Sequence, residues 1–397
     1  MSNTTSTQTV GARFRPWTGM LLLSAFSVAM SGCSLFSKTK DNAELPTPLA
    51  QIETELTPRT LWSVDVGGSV GVFGSRLELA LADDVIYTAA ESGAVSAFAA
   101  RTGVLRWRTR VAESIIGGVA VGEGLVVVST VAGELIALDR RSGVPRWTSP
   151  VNVEVLAPAA IAAGWVVYRA ADGRLAALDA GTGAPVWRFE REAPALSLRG
   201  TAAPVIDGPG VVSGFDNGML VRTRLIDGQG IWERRIGNPT GRTEVERLVD
   251  IDAAVVIGDN RIYAVGYQSR AVALRPDGRI VWSRETSSLR GLALGQRLLF
   301  VTDADSELLA LDRRNGNIVW QSAALRARQL TRPVVQGGFV VVGDFEGALH
   351  WFSPQRGSMV GRVRLPVAGI DAAPVVDGAG TLFVLSTDGT LTALTLT

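Results

Sequence analysis

The chain has 397 residues, 47% hydrophobic and 19% charged, too apolar for disorder and long enough for two or three ordinary domains or one large β architecture. Lys and Arg number 39 against 38 Asp and Glu, so no global field recruits nucleic acid or an anionic membrane surface. One histidine (His350), one cysteine (Cys33) and two lysines (Lys38, Lys40) exclude Cys/His zinc sites, Ser-His-Asp and Cys-His catalysis, an internal disulfide and a lysine nucleophile in the folded body.

Residues 13–33 read RFRPWTGMLLLSAFSVAMSGC. Arg13 and Arg15 form a positive flank, and Met20 to Met30 is an apolar run about half as long as the roughly 20 residues a bilayer requires. This pattern predicts a secretory signal over residues 1–32, removed before Cys33. The stretch Met30-Ser31-Gly32-Cys33 resembles the bacterial lipobox, with Met30 where an aliphatic residue is usual. That resemblance implies lipidation of Cys33, and Ser34 after it implies sorting to the outer membrane. Residues 33–58 carry Pro46, Pro48 and Pro58 among polar residues, which predicts a flexible tether.

From there the chain repeats itself. GELIALDRRSGVPRW (133–147) recurs as GRLAALDAGTGAPVW (173–187) and SELLALDRRNGNIVW (306–320). Weaker copies begin at 93, 218 and 268. The copy at 347 has Gly361 in place of the final tryptophan, and an eighth at 389 runs out at the carboxyl terminus. Each motif alternates apolar and polar residues, breaks at a glycine suited to a tight hairpin (Gly143, Gly183, Gly316), and continues into a strand ending on tryptophan. Two more short apolar runs precede each motif, as in 157–170 and 332–344. Four short strands per roughly 42-residue unit predict an all-β, eight-bladed β-propeller of four-stranded antiparallel blades over residues 59–397. RTLWSVDVG (59–67) is a tryptophan strand without a motif before it. Pairing it with the C-terminal motif would close the eighth blade and remove the free edges.

Trp62, Trp107, Trp147, Trp187, Trp232, Trp282 and Trp320 then occupy one equivalent place, expected to pack between neighbouring blades. Truncating one costs about 3–5 kcal/mol if it is fully buried. The blade with Gly361 is expected to be the loosest, and Trp165 and Trp351 are the tryptophans of the body left over for stacking on a ligand.

The spacing from motif start to tryptophan is constant, so length variation falls between one blade's outer strand and the next blade's inner strand. Two consecutive crossovers are long, RFEREAPALSLRG (188–200) and ERRIGNPTGRTEVERLVDID (233–252). They emerge side by side and offer Leu196, Leu198 and Arg199 from the first and Asp250 and Asp252 from the second. Apolar residues beside a bidentate cation and carboxylates, on loops held by a rigid scaffold, suit a protein-binding patch. Arg199 can equally pair with Asp250 or Asp252 to hold the loops together, and the two roles are compatible.

The lipobox-like Cys33, the tryptophan repeats, SRL at 75–77, SLRG at 197–200 and TEVERLVDID at 243–252 together resemble the BamB family, lipoproteins of the β-barrel assembly (BAM) machinery of Gram-negative outer membranes. The resemblance implies a non-enzymatic scaffold without cofactor or metal, lipid-anchored at the periplasmic face of the outer membrane. Its implied partners are the POTRA domains of BamA, the rest of the BAM complex and nascent outer-membrane proteins, with the lipid as sole membrane contact. Assistance to folding and insertion of β-barrel proteins is the implied role, and Leu196, Leu198, Arg199, Asp250 and Asp252 match the family's BamA contacts. Two other classes share the tryptophan repeat. A quinone-dependent dehydrogenase would bring an adjacent cysteine pair and a calcium site, and a glycan-binding propeller would bring exposed aromatics in each blade.

Overall fold

The third strand of each repeat is buried along most of its length, and in Glu134–Asp139 the four central residues are all buried. The expected alternation is confined to the outer strands, such as Leu105–Arg110, where every second residue is exposed. The reason is position, since the middle strands are covered on both faces by neighbouring blades while the outer strand meets solvent.

The computed structural model describes residues 44–71, 77–191, 194, 196, 198, 200–243 and 245–397. The signal segment 1–32, Cys33, Ser75, Arg76 and Arg199 lie outside them. The described residues contain 32 strands and no helix. The strands form eight four-stranded antiparallel sheets, the predicted eight-bladed propeller. Blades 1 to 7 span residues 80–110, 120–150, 160–190, 205–235, 256–285, 291–322 and 334–364. Blade 8 is composite. Its outer strand Pro58–Asp65 pairs with the C-terminal strand Thr390–Leu396, in a register running from Pro58↔Leu396 to Asp65↔Thr390.

Each tryptophan reaches into the next blade. Trp62 Nε1 donates to the Ala100 carbonyl at 3.1 Å, Trp107 to Arg140 at 3.0 Å and Trp282 to Arg313 at 2.9 Å. The rings lie on the hairpin glycines of those blades. A Cβ on Gly103, Gly143 or Gly316 would stand 2.7, 2.5 and 2.5 Å from the rings of Trp62, Trp107 and Trp282. These glycines have φ of 71°, 71° and 73°, so they serve both the turn and the close approach. Trp232 and Trp282 are buried and the other five half-buried, which puts the full truncation cost on those two alone.

Blade 7 departs from the pattern in an informative way. In six other blades the tryptophan faces an alanine across the strand pair, as in Ala137↔Trp147 and Ala310↔Trp320, and in blade 4 Trp232 faces Arg222. In blade 7 the pair is inverted to Trp351↔Gly361. Trp351 is 0% exposed and donates to Gln336 Oε1 at 2.9 Å, so the space expected to be loose is filled from the other strand. A tryptophan at 361 would also have nothing to dock on, because in blade 8 the chain termini replace the hairpin. Trp165 packs against the core around Phe215, and neither spare tryptophan stands free for a ligand.

The propeller has two unlike faces. Turns between the first and second strands, and the glycine hairpins, lie on one. Turns between the second and third strands lie on the other, together with the crossovers to the next blade, and the two are tied by backbone bonds such as Val131 N–H to Ser114 O at 2.9 Å and Ala171 N–H to Glu154 O at 2.9 Å. Residues 44–57, part of the stretch expected to be a tether, run along the outer edge of blade 7, where Glu55 and Leu56 N–H groups donate to the Val360 carbonyl at 2.8 and 3.1 Å.

Candidate functional site

The two long crossovers, 191–204 and 236–255, leave blades 3 and 4 on the same face. Their roots are joined by an ion pair between Arg191 and Glu233. The second crossover is shaped by its own side chains. Glu246 accepts from the N–H groups of Arg242 at 2.7 Å and Thr243 at 3.3 Å, and Thr243 Oγ1 accepts from Glu246 N–H at 3.2 Å, a reciprocal capping arrangement that closes a turn. Asp250 then exchanges backbone bonds with Tyr267 in blade 5, and Ile251 is buried in the core between blades 4 and 5. This pins Asp250 and Asp252 on either side of an apolar anchor.

The first crossover lies on these aspartates. The Leu198 N–H lies close enough to the Asp250 carboxyl to lower its pKa, while neither carboxylate oxygen gains a full hydrogen bond among the described residues. Gly200 approaches Asp252 so closely that a Cβ there would stand 2.5 Å from Oδ2. Thr201 Oγ1 accepts from Ala157 N–H at 3.2 Å, fastening the loop to the preceding crossover. Leu196 is 42% exposed and Leu198 half-buried. The structure therefore brings together Leu198, Asp250 and Asp252, with Leu196 exposed on the same loop. Asp250 is only 1% exposed, so it holds the loop from beneath rather than offering a surface.

Two residues that the sequence reading did not single out complete the site. Arg169, at the end of the second strand of blade 3, is 1% exposed. Its Nη2 pairs with Asp216 Oδ1 at 3.0 Å, its Nε faces the Gly214 carbonyl at 3.4 Å, and its guanidinium lies 4.2 Å over the Phe215 ring. Asp216 brings a carboxylate oxygen within 4.8 Å of those of Asp250 and Asp252. The signal was present, because the positions equivalent to Arg169 in the other blades are Ala89, Ser129, Gly214, Val265, Thr302, Gly343 and Leu385, none of them charged. A guanidinium in that uncharged series marks a buried ionic network.

Electrostatics follow from burial. Burial pushes the Asp250 carboxyl up to about 9, reinforced by the neighbouring charges of Asp252 and Asp216, while the Leu198 N–H pulls it down. Asp216 is also raised by burial, against the opposing pull of Arg169. Burial lowers Arg169, and Asp216, Asp250 and Asp252 counteract it. Three acids at such range could suggest a cation, but the Arg169 guanidinium already lies against one of them and Asp252 has a partner of its own. The arrangement is a loop platform, built to hold a shape.

The chain's single histidine, His350, is fully buried against Asp344, their closest approach 3.1 Å, and is out of reach of a substrate.

The family model described as outer membrane protein assembly factor BamB matches residues 52–117 and 91–322. Outer membrane protein assembly factor BamB of Pseudomonas aeruginosa is 47% identical over 96% of this chain and 99% of its own length. The crystal structure of BamB from Moraxella catarrhalis superposes with a TM-score of 0.78 at 28% identity, covering 85% of this chain and all of that one. A quinohemoprotein alcohol dehydrogenase from Comamonas testosteroni reaches a TM-score of 0.67 at 14% identity, over 85% of this chain and 76% of its own, a likeness of fold alone.

Proposed function

This chain belongs to the BamB family of outer membrane protein assembly factors, and we propose that it works as a non-catalytic scaffold that docks the periplasmic POTRA domains of BamA through its two long crossovers. In this reading Cys33 carries lipid and anchors the propeller to the periplasmic side of the outer membrane. The BAM complex so assembled promotes folding and insertion of β-barrel proteins. The carrying observation is the convergence of the crossovers, with the Leu198 N–H beside the buried Asp250 and Gly200 packed against Asp252. A surface made from two loops is thereby held in one geometry on a rigid ring, which lowers the ordering cost of association.

Roles divide by burial. Leu196 is the exposed apolar contact, and Arg199 supplies a cation for a carboxylate of the partner. Asp250 and Asp252 position the loop. The experiment is capture of the mature chain by the periplasmic domains of BamA, parent beside Arg199→Glu, with circular dichroism of both. Binding lost from a folded Arg199→Glu variant is the expected result. Equal capture would move the site elsewhere on the ring.

A further inference from the structure

Residues 44–57 are not needed to build a blade, yet they are fixed along their length. We propose that they form a strap that moves the chain's point of exit onto the crossover face, so that this face, with the two long crossovers, is held next to the membrane. The inference rests on the reading of Cys33 as the lipidated residue.

The outer strand of blade 8 begins at Pro58, opposite Leu396, and so on the face of the glycine hairpins. A chain free as far as Pro58 would leave from that face on a leader that spans about 85 Å from Cys33 when fully extended. Instead the strap climbs the outer edge of blade 7. Near the hairpin face its Glu55 and Leu56 N–H groups bond the Val360 carbonyl. Higher up, Arg362 Nη1 donates to the Ala50 carbonyl at 2.9 Å and Arg328 Nη1 to the Thr47 carbonyl at 3.1 Å. At the top, Thr47 N–H donates to the Arg326 carbonyl at 3.0 Å, and Arg326 Nε pairs with Glu44 at 2.8 Å. Arg326 and Arg328 belong to the crossover from blade 6 to blade 7.

The strap is seated as well as bonded. Leu56 packs with Trp351 and Val360 over the gap left by Gly361, and Leu49 packs with the core between blades 6 and 7. Arg328, itself 3% exposed, is held by Asp344 and Glu346, so the guanidinium that grips Thr47 belongs to the rigid body. From Cys33 to Glu44 the chain can span no more than about 40 Å. The leash is thereby cut to less than half and its root turned to the crossover face, where a partner embedded in the same membrane would be met at raised effective concentration.

The test uses the mature lipidated chain in vesicles of phosphatidylethanolamine and phosphatidylglycerol, without a protein partner. Lipidation of Cys33 leaves an introduced cysteine as the only thiol. A fluorophore at Ser114→Cys reports the crossover face and one at Arg101→Cys the hairpin face, each read by energy transfer to a headgroup-labelled lipid. Stronger transfer from position 114 is expected, with the difference lost in the Arg326→Ala/Arg362→Ala variant. Equal transfer from both positions, or stronger transfer from 101, overturns the proposal. Cleavage after Glu53 and Glu55 by a glutamyl endopeptidase reads the strap directly. It should be slow in the parent and about tenfold faster in the double variant, and rapid cleavage of the parent contradicts the strap. The mass of the Cys33–Lys38 peptide checks the lipid separately, so an unlipidated chain would refute the anchor while the protease measurement still decides the strap.

Discussion

Two buried ionic networks lie on the crossover face, one under the long loops of blades 3 to 5 and one in blade 7, and they are supplied very differently. In blade 7, Asp344 accepts Arg328 Nε at 2.8 Å and the backbone N–H groups of Glu346 and Ala348 at 3.0 and 2.9 Å, with His350 Nε2 at 3.1 Å. Burial opposes its ionisation, but His350, the Ala348 N–H and Arg328 outweigh it and hold the carboxyl down to about 2. Under the long loops the balance is reversed. Asp216, Asp250 and Asp252 crowd together, and burial with mutual repulsion drives Asp250 up to about 9. A carboxylate rich in donors locks strap and blade into one body. A carboxyl short of them keeps its own proton and ties a loop through few bonds, which suits a surface that must meet a partner.

Breaking the well-supplied network should have the largest effect. Asp344→Ala leaves Arg328 and His350 buried without their shared acceptor and should cost about 3–5 kcal/mol in urea unfolding. The depressed carboxyl also sets a pH window for the parent. Its contribution is complete above the unfolded value of 3.8 and is lost as pH falls toward about 2. A loss under about 1 kcal/mol in Asp344→Ala would show that the strap, not this network, holds blade 7.

Arg169→Met tests the other network and should cost about 3 kcal/mol near pH 8 and less near pH 5. Asp216 is raised by burial even with Arg169 beside it, and without that cation it can be accommodated only by taking up a proton, which low pH supplies. A loss independent of pH would mean that Arg169 acts by packing on Phe215 alone. Asp250→Asn is the smallest and has the opposite sign. With a folded-state value raised above the unfolded one, the parent loses stability as pH rises from about 4 toward about 9. The amide removes that penalty, so the variant should gain about 1 kcal/mol at neutral pH. A destabilised Asp250→Asn would assign the carboxylate an ionised role in the resting chain.

The propeller was legible because its signal repeats. The tryptophan motif, the constant spacing from its start to the tryptophan and the broken first and last repeats revealed the blade number and the closure between Pro58–Asp65 and Thr390–Leu396. The inversion in blade 7 was not, because only strand register reveals that Trp351 stands opposite Gly361. Nor was the strap, whose apolar contacts Leu49 and Leu56 follow no strand or helix period and whose arginine partners lie at 326 to 362. Of the site, the loop positions could be read from chain length alone. Arg169 stood out from the repeat, but its pairing with Asp216 and the burial of Asp250 could not be read, since they depend on how blades 3, 4 and 5 meet.

The central claim is that the long crossovers are the docking surface. Amide hydrogen exchange of the mature chain, alone and with the periplasmic domains of BamA, tests it most directly. The account predicts added protection in residues 194–200 and 243–252, with the glycine hairpins of the opposite face unchanged. Protection confined to those hairpins, or to the outer strands, would contradict it.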